Sequence, residues 1–213
     1  MAAPGRRVTD VVLARHGETV WHAENRYAGR SDVALTDRGR AQADRLGAWA
    51  ATADLTALWC SPLQRAHDTA LAVRAATGLE ARIDRRLREL DFGDGEGLTR
   101  TEMRAAFPAA LEAFEADPVA HHLPGGEAPG DAAARMVDAL EDIAAAHPRE
   151  RVLVVAHTTV IRLALCRLLG VPLRSYRRTF PQLDNVTRTE VRLGAGAPAL
   201  LAYNAPLEHA AAA

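Results

Sequence analysis

Apolar residues gather in three short runs: VTDVVLA ending at Ala14, ALWC ending at Cys60, and RVLVVA ending at Ala156. Their length and their valine and leucine content predict buried strands, because a strand covered on both faces reads as a continuous apolar run rather than an alternation. Helical spacing follows. After the second run Leu63, Ala66, Ala70 and Val73 recur at that spacing, and after the third Ile161, Leu165 and Leu168 do so as far as Gly170 and Pro172, a C-terminal stop. Two more helices are predicted, one from an N-cap at Thr36 through Leu46 and Trp49, the other from Asp131 through Met136, Leu140 and Ile143 to His147-Pro148. Alternating strand and helix imply an α/β fold with a mostly parallel central sheet covered on both faces.

Two stretches depart from this alternation. Residues 93–130 are rich in Gly, Pro, Glu and His, with short helical pieces around 101–115, and are read as a small inserted lid. Near the end, TRTEVRL and ALLAYN flank GAGAP and predict a hairpin or two edge strands, after which the tail EHAAAA has little to bury.

Composition narrows the class. The chain has 213 residues, enough for one sizeable core and little for two, so 1–213 is expected to be a single domain. Hydrophobic residues make up 48% and charged residues 25%, which excludes intrinsic disorder and a fibrous repeat. Net charge is -1, with 26 basic residues, all arginine, against 27 acidic, so no overall field draws the chain to nucleic acid or an anionic membrane, and neither is expected as a partner. Any anion site must be local. The two cysteines, Cys60 and Cys166, lie in apolar stretches, which favours buried free thiols over a disulfide or metal cluster and fits a reducing cytoplasm. The start MAAPGRRVTDVVLARHG has too short an apolar run for a signal peptide, and no run of roughly 18 apolar residues exists for a membrane span. A cytoplasmic location is therefore expected, and a homodimer is left open.

In open parallel sheets the ligand crevice lies beyond the carboxyl ends of the strands. The first run delivers Arg15-His16-Gly17, the second is followed by Ser61-Pro62 and a helix carrying Arg65, and the third ends in His157-Thr158-Thr159. Two arginines and two histidines at one sheet edge suit a dianionic phosphate. A guanidinium grips two oxygens at once, and the amides of a helix start near Thr158 and Thr159 are expected to add donors. A neutral imidazole held through one ring nitrogen can present the other to phosphorus. Glu89, in LRELDFGDGEG after another short strand-like piece, is the candidate proton donor, with Asp91 and Glu96 as rivals.

These residues also carry a resemblance. LARHGETVW, LTDRGRAQA, SPLQRAHDTA, RELDFGDGEG and VVAHTTVIR, in that order over about 8–191, resemble the motifs of the histidine phosphatase superfamily, the phosphoglycerate mutase-like family. The resemblance implies His16 as the phosphorylated nucleophile, Arg15, Arg65 and His157 around the phosphoryl group, and Glu89 as proton donor. It also implies a three-layer α/β/α sandwich, no metal, no cofactor, and hydrolysis or mutase chemistry on phosphomonoesters. Four positions depart from the family's usual residues: His22 stands where Asn is common, Ala28 where Ser or Thr precedes Gly29, Thr158 where Gly follows the second histidine, and Gly95 where Trp is frequent. The first two lie where substrate would sit, so they bear on substrate more than on reaction.

The leading expectation is a metal-independent phosphatase acting on a small phosphorylated metabolite through a phosphohistidine. Its rivals are a cofactor-dependent phosphoglycerate mutase and a non-catalytic phospholigand-binding module. Within the lid only Arg100 and Arg104 are basic, which disfavours the mutase, and both histidines are present, which disfavours the module. Thr158 is assigned to phosphate, and His22, Arg26, Tyr27 and Gly29 are candidate substrate contacts set against ordinary loop packing. His121 and His122 read as a solvated pair, Arg162 as one member of a structural ion pair, and RIDRRLR and LRSYRR as solvated faces.

Overall fold

In a computed structural model, residues 8–207 of the chain are described. The expectations for the extreme start and for the tail EHAAAA lie outside them. The strands β1 (Val8–Arg15), β2 (Ala57–Cys60), β3 (Ala81–Ile83), β4 (Arg151–Ala156), β5 (Arg188–Gly194) and β6 (Ala199–Ala205) form one sheet in the order β3-β2-β4-β1-β5-β6. The β3-β2, β2-β4 and β4-β1 pairs are parallel, and the β5-β6 hairpin runs antiparallel along the free side of β1. The sheet is thus mostly parallel. The three apolar runs are β1, β2 and β4; β3, which overlaps the start of the basic piece RIDRRLR, is the short strand-like piece before LRELDFGDGEG, and two of its three side chains are exposed.

Among the described residues seven α-helices complete the fold: α1 (Asp37–Ala50), α2 (Gln64–Thr77), α3 (Arg100–Ala106), α4 (Pro108–Ala116), α5 (Pro129–Ala146), α6 (Thr158–Leu168) and α7 (Tyr176–Thr179). The alternation of side chains along a strand decides which layer each residue joins. Val11, Leu13, Val152 and Val154 pack with Met136, Leu140, Ile161 and Leu165 of α5 and α6. Val12, Ala14, Leu153 and Val155 pack on the other face with Leu46, Trp49 and Val73 of α1 and α2. Helices therefore cover both faces in three layers, and the inner strands carry consecutive apolar residues at 11–14 and 152–156 because each of those positions is buried.

The stretch 93–130 contains α3 and α4 and has a small core of its own, Met103, Leu111, Phe114 and Leu123, against which Tyr27 and Phe92 pack. A capping box between Thr99 and Glu102 starts α3. Gly95, where a tryptophan would be usual for the family, lies under Leu123, whose Cδ1 would be only 2.5 Å from any added Cβ. An indole has no room there.

Parallel register fixes the functional edge. Arg15 stands opposite Ala156 and Cys60 opposite Val155, so His16, Ser61 and His157 emerge side by side just past the three strand ends. Two glycines allow α1 to approach this edge. The backbone of Gly39, in the first turn of α1, passes against Glu18, and that of Gly17 against Gly39. Thr36 caps α1 by accepting from Gly39 N at 2.9 Å while its hydroxyl donates to Glu18 Oε1 at 3.0 Å. Gly39→Ala would drive a methyl into the Glu18 carbonyl and is expected to destabilise the protein by about 1–3 kcal/mol. Gly130→Ala, at a site in α5 where an added Cβ meets nothing within 4 Å, is expected to stabilise the protein by about 0.4–1 kcal/mol. Urea unfolding of the two variants checks the contrast.

Candidate active site

His16 leaves the end of β1 almost wholly buried, at 5% exposure, with Nδ1 2.7 Å from the carbonyl oxygen of Gly17. A carbonyl only accepts, so Nδ1 carries the hydrogen and Nε2 carries the lone pair. Burial, together with the charges of Arg65 and Arg15, pushes the His16 pKa well below the ordinary histidine value. The ring is neutral, which is the state a nucleophile needs. Its backbone is held from two directions, by Asn185 Nδ2 donating to His16 O at 2.8 Å and by Gly17 N donating to Thr69 Oγ1 at 3.0 Å.

Arg15 and His22 meet beside it. Arg15 Nη1 donates to Leu183 O at 2.9 Å, Nη2 lies 2.6 Å from His22 Nε2, and Nε is buried with no hydrogen-bond partner. His22 Nδ1 in turn lies 3.0 Å from Thr19 N. The Thr19 hydroxyl is closer still, 2.8 Å from Nδ1, and a neutral His22 that donates from Nδ1 to that oxygen keeps Nε2 to accept from Arg15. Burial and the Arg15 charge hold the His22 pKa down at about 4.

His157 follows β4 and is completely buried, its ring centroid 5.1 Å from that of His16. Its Nε2 lies 2.7 Å from Ser61 Oγ, an oxygen that already accepts from Leu63 N at 3.2 Å. Oγ keeps a second lone pair, so the Ser61 hydroxyl either accepts from Nε2 or donates to it, and donation puts the imidazole hydrogen on Nδ1. That Nδ1 has no partner, and neither does the buried hydroxyl of Thr158. Burial and Arg65 hold His157 neutral as well.

Arg65, from the first turn of α2, is 1% exposed. Its Nη1 donates to Ser31 O at 2.8 Å and its Nη2 to Gly29 O at 2.7 Å and Ala28 O at 3.1 Å, while Nε is unpartnered. It thus fastens the 28–31 loop and projects its charge onto both histidines. Gly29 belongs to that anchorage and does not line the cleft: its N–H donates to the Glu96 carboxylate at 2.9 Å, and an added Cβ would lie 2.6 Å from Leu90 O. The loop-packing reading of Gly29 holds over the substrate-contact reading, because no open surface remains at that position. Glu96 also accepts from Ser31 N at 2.9 Å, and Asp91 accepts from Gly93 N at 2.9 Å and pairs with Arg30. Both rivals for the acid role are engaged away from the cleft.

Glu89 faces the cleft and is 5% exposed. Oε1 accepts from Leu90 N at 2.8 Å and Val160 N at 2.9 Å, and Oε2 accepts from Thr159 N at 2.9 Å. Here the sequence reading needs correction. Of the α6-start amides expected to bind phosphate, that of Thr159, together with that of Val160, instead holds the candidate acid, which suits a helix N-terminus equally well. Three bonds use three of the carboxylate's four lone-pair directions and leave one, on Oε2, for a proton.

The cleft is about 680 Å³ in volume, and Arg15, His16, His22, Glu89 and Thr158 line it together with Arg26 and Tyr27. Arg26 stands at the rim with its charge matched by Glu24 and Glu102, at 2.7 and 2.8 Å. The Tyr27 ring is set edge-on against Phe92 at 5.0 Å. His121 and His122 are both exposed. Arg162 corrects a second expectation: among the described residues it makes no ion pair, and its guanidinium lies 5.0 Å over the Tyr176 ring. Glu89, the acidic group that acts on its charge, has turned its oxygens to backbone amides. Asn185, Thr69 and Gln42, which accepts from Glu18 N at 2.7 Å, were given no role in the sequence reading: Asn185 lies outside the motifs, Thr69 and Gln42 stand within SPLQRAHDTA and LTDRGRAQA, and only the folded chain brings them to the 16–18 turn.

Residues 11–206 match the family model described as histidine phosphatase superfamily (branch 1). The chain is 38% identical to phosphoglycerate mutase-like protein 4 of Arabidopsis thaliana over 159 residues, covering 72% of this chain and 68% of that protein. It is 32% identical to phosphoserine phosphatase 1 of Hydrogenobacter thermophilus over 166 residues, covering 78% and 79%. Among solved structures, the mycobacterial glucosyl-3-phosphoglycerate phosphatase superposes with a TM-score of 0.84 at 30% identity, over 93% of this chain and all of that one.

His16, His22 and His157 all have pKa values held below the ordinary histidine value in the folded protein, so the unfolded chain takes up protons that the folded chain refuses. Stability should therefore fall as pH is lowered from about 7 towards about 4, and these groups should contribute no slope above about pH 7.5. In His22→Asn, proton uptake on unfolding near pH 5 should be smaller by about one proton. Urea titrations between pH 5 and 8 read both effects; an unchanged slope in His22→Asn would contradict a neutral His22.

Proposed function

The chain belongs to the histidine phosphatase superfamily, branch 1, and from that premise we propose that it is a metal-independent phosphomonoesterase that transfers the phosphoryl group of a small metabolite to His16. One observation carries the reading. The buried side-chain polar atoms without a partner among the described residues are Arg15 Nε, Arg65 Nε, His157 Nδ1, Thr158 Oγ1 and Arg162 Nε, and the first four belong to residues around the His16 ring. Burying a donor unpaired costs about 1–3 kcal/mol. A phosphoryl group in front of His16 supplies the acceptors that offset this.

In the first step the lone pair of His16 Nε2 attacks phosphorus in line with the ester oxygen. The phosphorus–oxygen bond breaks, and the departing oxygen takes a proton from Glu89 Oε2. In the second step water attacks the phosphohistidine and gives its proton to Glu89, and the nitrogen–phosphorus bond breaks to restore His16. Arginine charge and the hydrogens on His157 Nδ1 and Thr158 Oγ1 stabilise the equatorial oxygens as charge accumulates. Gly17 O stabilises the positive charge that His16 gains. The relatives support a small substrate, since one is named for phosphoserine and another for glucosyl-3-phosphoglycerate. The chain acts in the cytoplasm as one domain in which 93–130 serves as the lid, without nucleic acid or membrane as a partner. No described helix is long and apolar enough to cross a membrane.

The mutase alternative keeps one supporting fact, the mutase-like name of the Arabidopsis relative. Against it, the lid brings only Arg100 to the cleft, and Arg104 is paired with Glu115 at 3.5 Å. With a bisphosphate primer and a monophosphoglycerate in chelator, net phosphate release should exceed isomerisation. His16→Ala should remove turnover to within background, and retained activity would sink the assigned nucleophile. Glu89→Gln should slow alkyl phosphates about 100-fold more than activated aryl phosphates, because only poor leaving groups need the proton. Equal losses on the two classes would count against Glu89 as the acid.

A further inference from the structure

A second cleft, about 330 Å³ in volume, adjoins the first and shares Tyr27, Phe92 and Arg100 with it. Its other wall is made by α6 and α7, which bring Arg162, Tyr176 and Arg177. Arg162 lies 5.0 Å over the Tyr176 ring, and Arg177 lies 4.8 Å over Phe114 and 5.5 Å over Tyr176. Stacking uses the faces of these guanidinium groups and leaves their edges, where the N–H donors point. On Arg162 none of those donors finds a partner among the described residues, and its Nε is buried. Arg177 spends its Nε on the Tyr176 hydroxyl at 3.0 Å and makes no ion pair among the described residues. Arg100 has a long contact of 3.7 Å to Glu115 and donates from Nε to the Tyr27 hydroxyl at 3.5 Å. Three cations thus converge where aromatic rings supply the floor and no carboxylate answers Arg162 or Arg177.

We infer that this cleft is the seat of a second anionic group on the substrate, a carboxylate, held edge-on by Arg162 with Arg177 beside it. The inference rests on the phosphatase reading and names the substrate class within it: short phosphomonoesters of carboxylic acids. One feature favours a carboxylate over a second phosphate: a stacked guanidinium offers an in-plane pair of donors that matches a planar carboxylate. Spacing favours a short spacer, because Thr158 lines the phosphate cleft and Arg162 follows four residues later on α6, roughly 6 Å along the helix axis.

The test is a ratio of kcat/KM values within matched pairs, measured on one preparation so that any misfolded fraction cancels. The pairs are phosphoserine against phosphoethanolamine, 3-phosphoglycerate against glycerol 3-phosphate, and fructose 1,6-bisphosphate against fructose 6-phosphate. The wild type should prefer the carboxylate-bearing member of the first two pairs by about tenfold or more. Arg162→Gln, and to a smaller degree Arg177→Gln, should bring those ratios to within about threefold of one, while Arg178→Gln, an exposed neighbour on α7, should keep the wild-type ratios. Ratios near one in the wild type, or a preference in Arg162→Gln equal to the wild type's, would overturn the inference and leave the phosphatase reading standing. A preference for the bisphosphate alone would assign the cleft to a phosphate and overturn the carboxylate. Failure to hydrolyse any of these esters or an aryl phosphate would instead overturn the phosphatase reading itself.

Discussion

Parallel pairing of β1 with β4 sets Arg15 opposite Ala156, and everything at the cleft descends from that register. It places the next residue of each strand, His16 and His157, with ring centroids 5.1 Å apart, and the β2-β4 pairing adds Ser61 to hold the second imidazole. A one-residue slip would turn Val11 and Leu13 into the opposite layer and carry His16 off the crevice. The apolar alternation between the two helix layers resists that slip. The force that orders the core is therefore the force that positions the nucleophile, and Gly17 and Gly39 let α1 close on the resulting loop.

The site uses charge in two opposed ways. Arg15 and Arg65 gather positive charge that an anion would neutralise, and the same charge, with burial, keeps His16, His22 and His157 unprotonated. Burial also lowers the pKa of Arg15 to about 10, so it stays charged at neutral pH. Donors without acceptors are costly to fold, and the surrounding apolar layers bear that cost. On the proposed reading the cost is recovered when phosphate enters, and the group that accepts phosphorus needs no deprotonation beforehand. The start of α6 completes the division of labour by holding Glu89 with its amides.

Much of this was legible in the sequence, because the strands that position the site are buried on both faces and end in the reactive residues. The runs ending at Ala14, Cys60 and Ala156 mark three of the four parallel strands, and Thr36 marks the start of α1. What the sequence concealed depends on where hydrogen bonds go. The amides of Thr159 and Val160 could serve a phosphate or a carboxylate, and only the fold shows that they serve Glu89. Gly29 could touch substrate or loop, and the packing against Leu90 and Glu96 decides for the loop. Arg162 looked like one half of an ion pair since a helical arginine usually finds a carboxylate, and here an aromatic face took that place. Strand β3 showed only as the short strand-like piece before LRELDFGDGEG, because an edge strand of three mostly exposed residues needs no apolar run.

The central claim is that the phosphoryl group resides covalently on His16 during turnover. Rapid quenching of the protein with an activated aryl phosphate, followed by peptide mapping at alkaline pH, tests it most directly. The account predicts a phosphoryl group that is stable to alkali, labile to acid and located on the peptide containing His16, forming no more slowly than phosphate is released. Steady turnover with no labelled protein at any quench time, or a label on another residue, would contradict it.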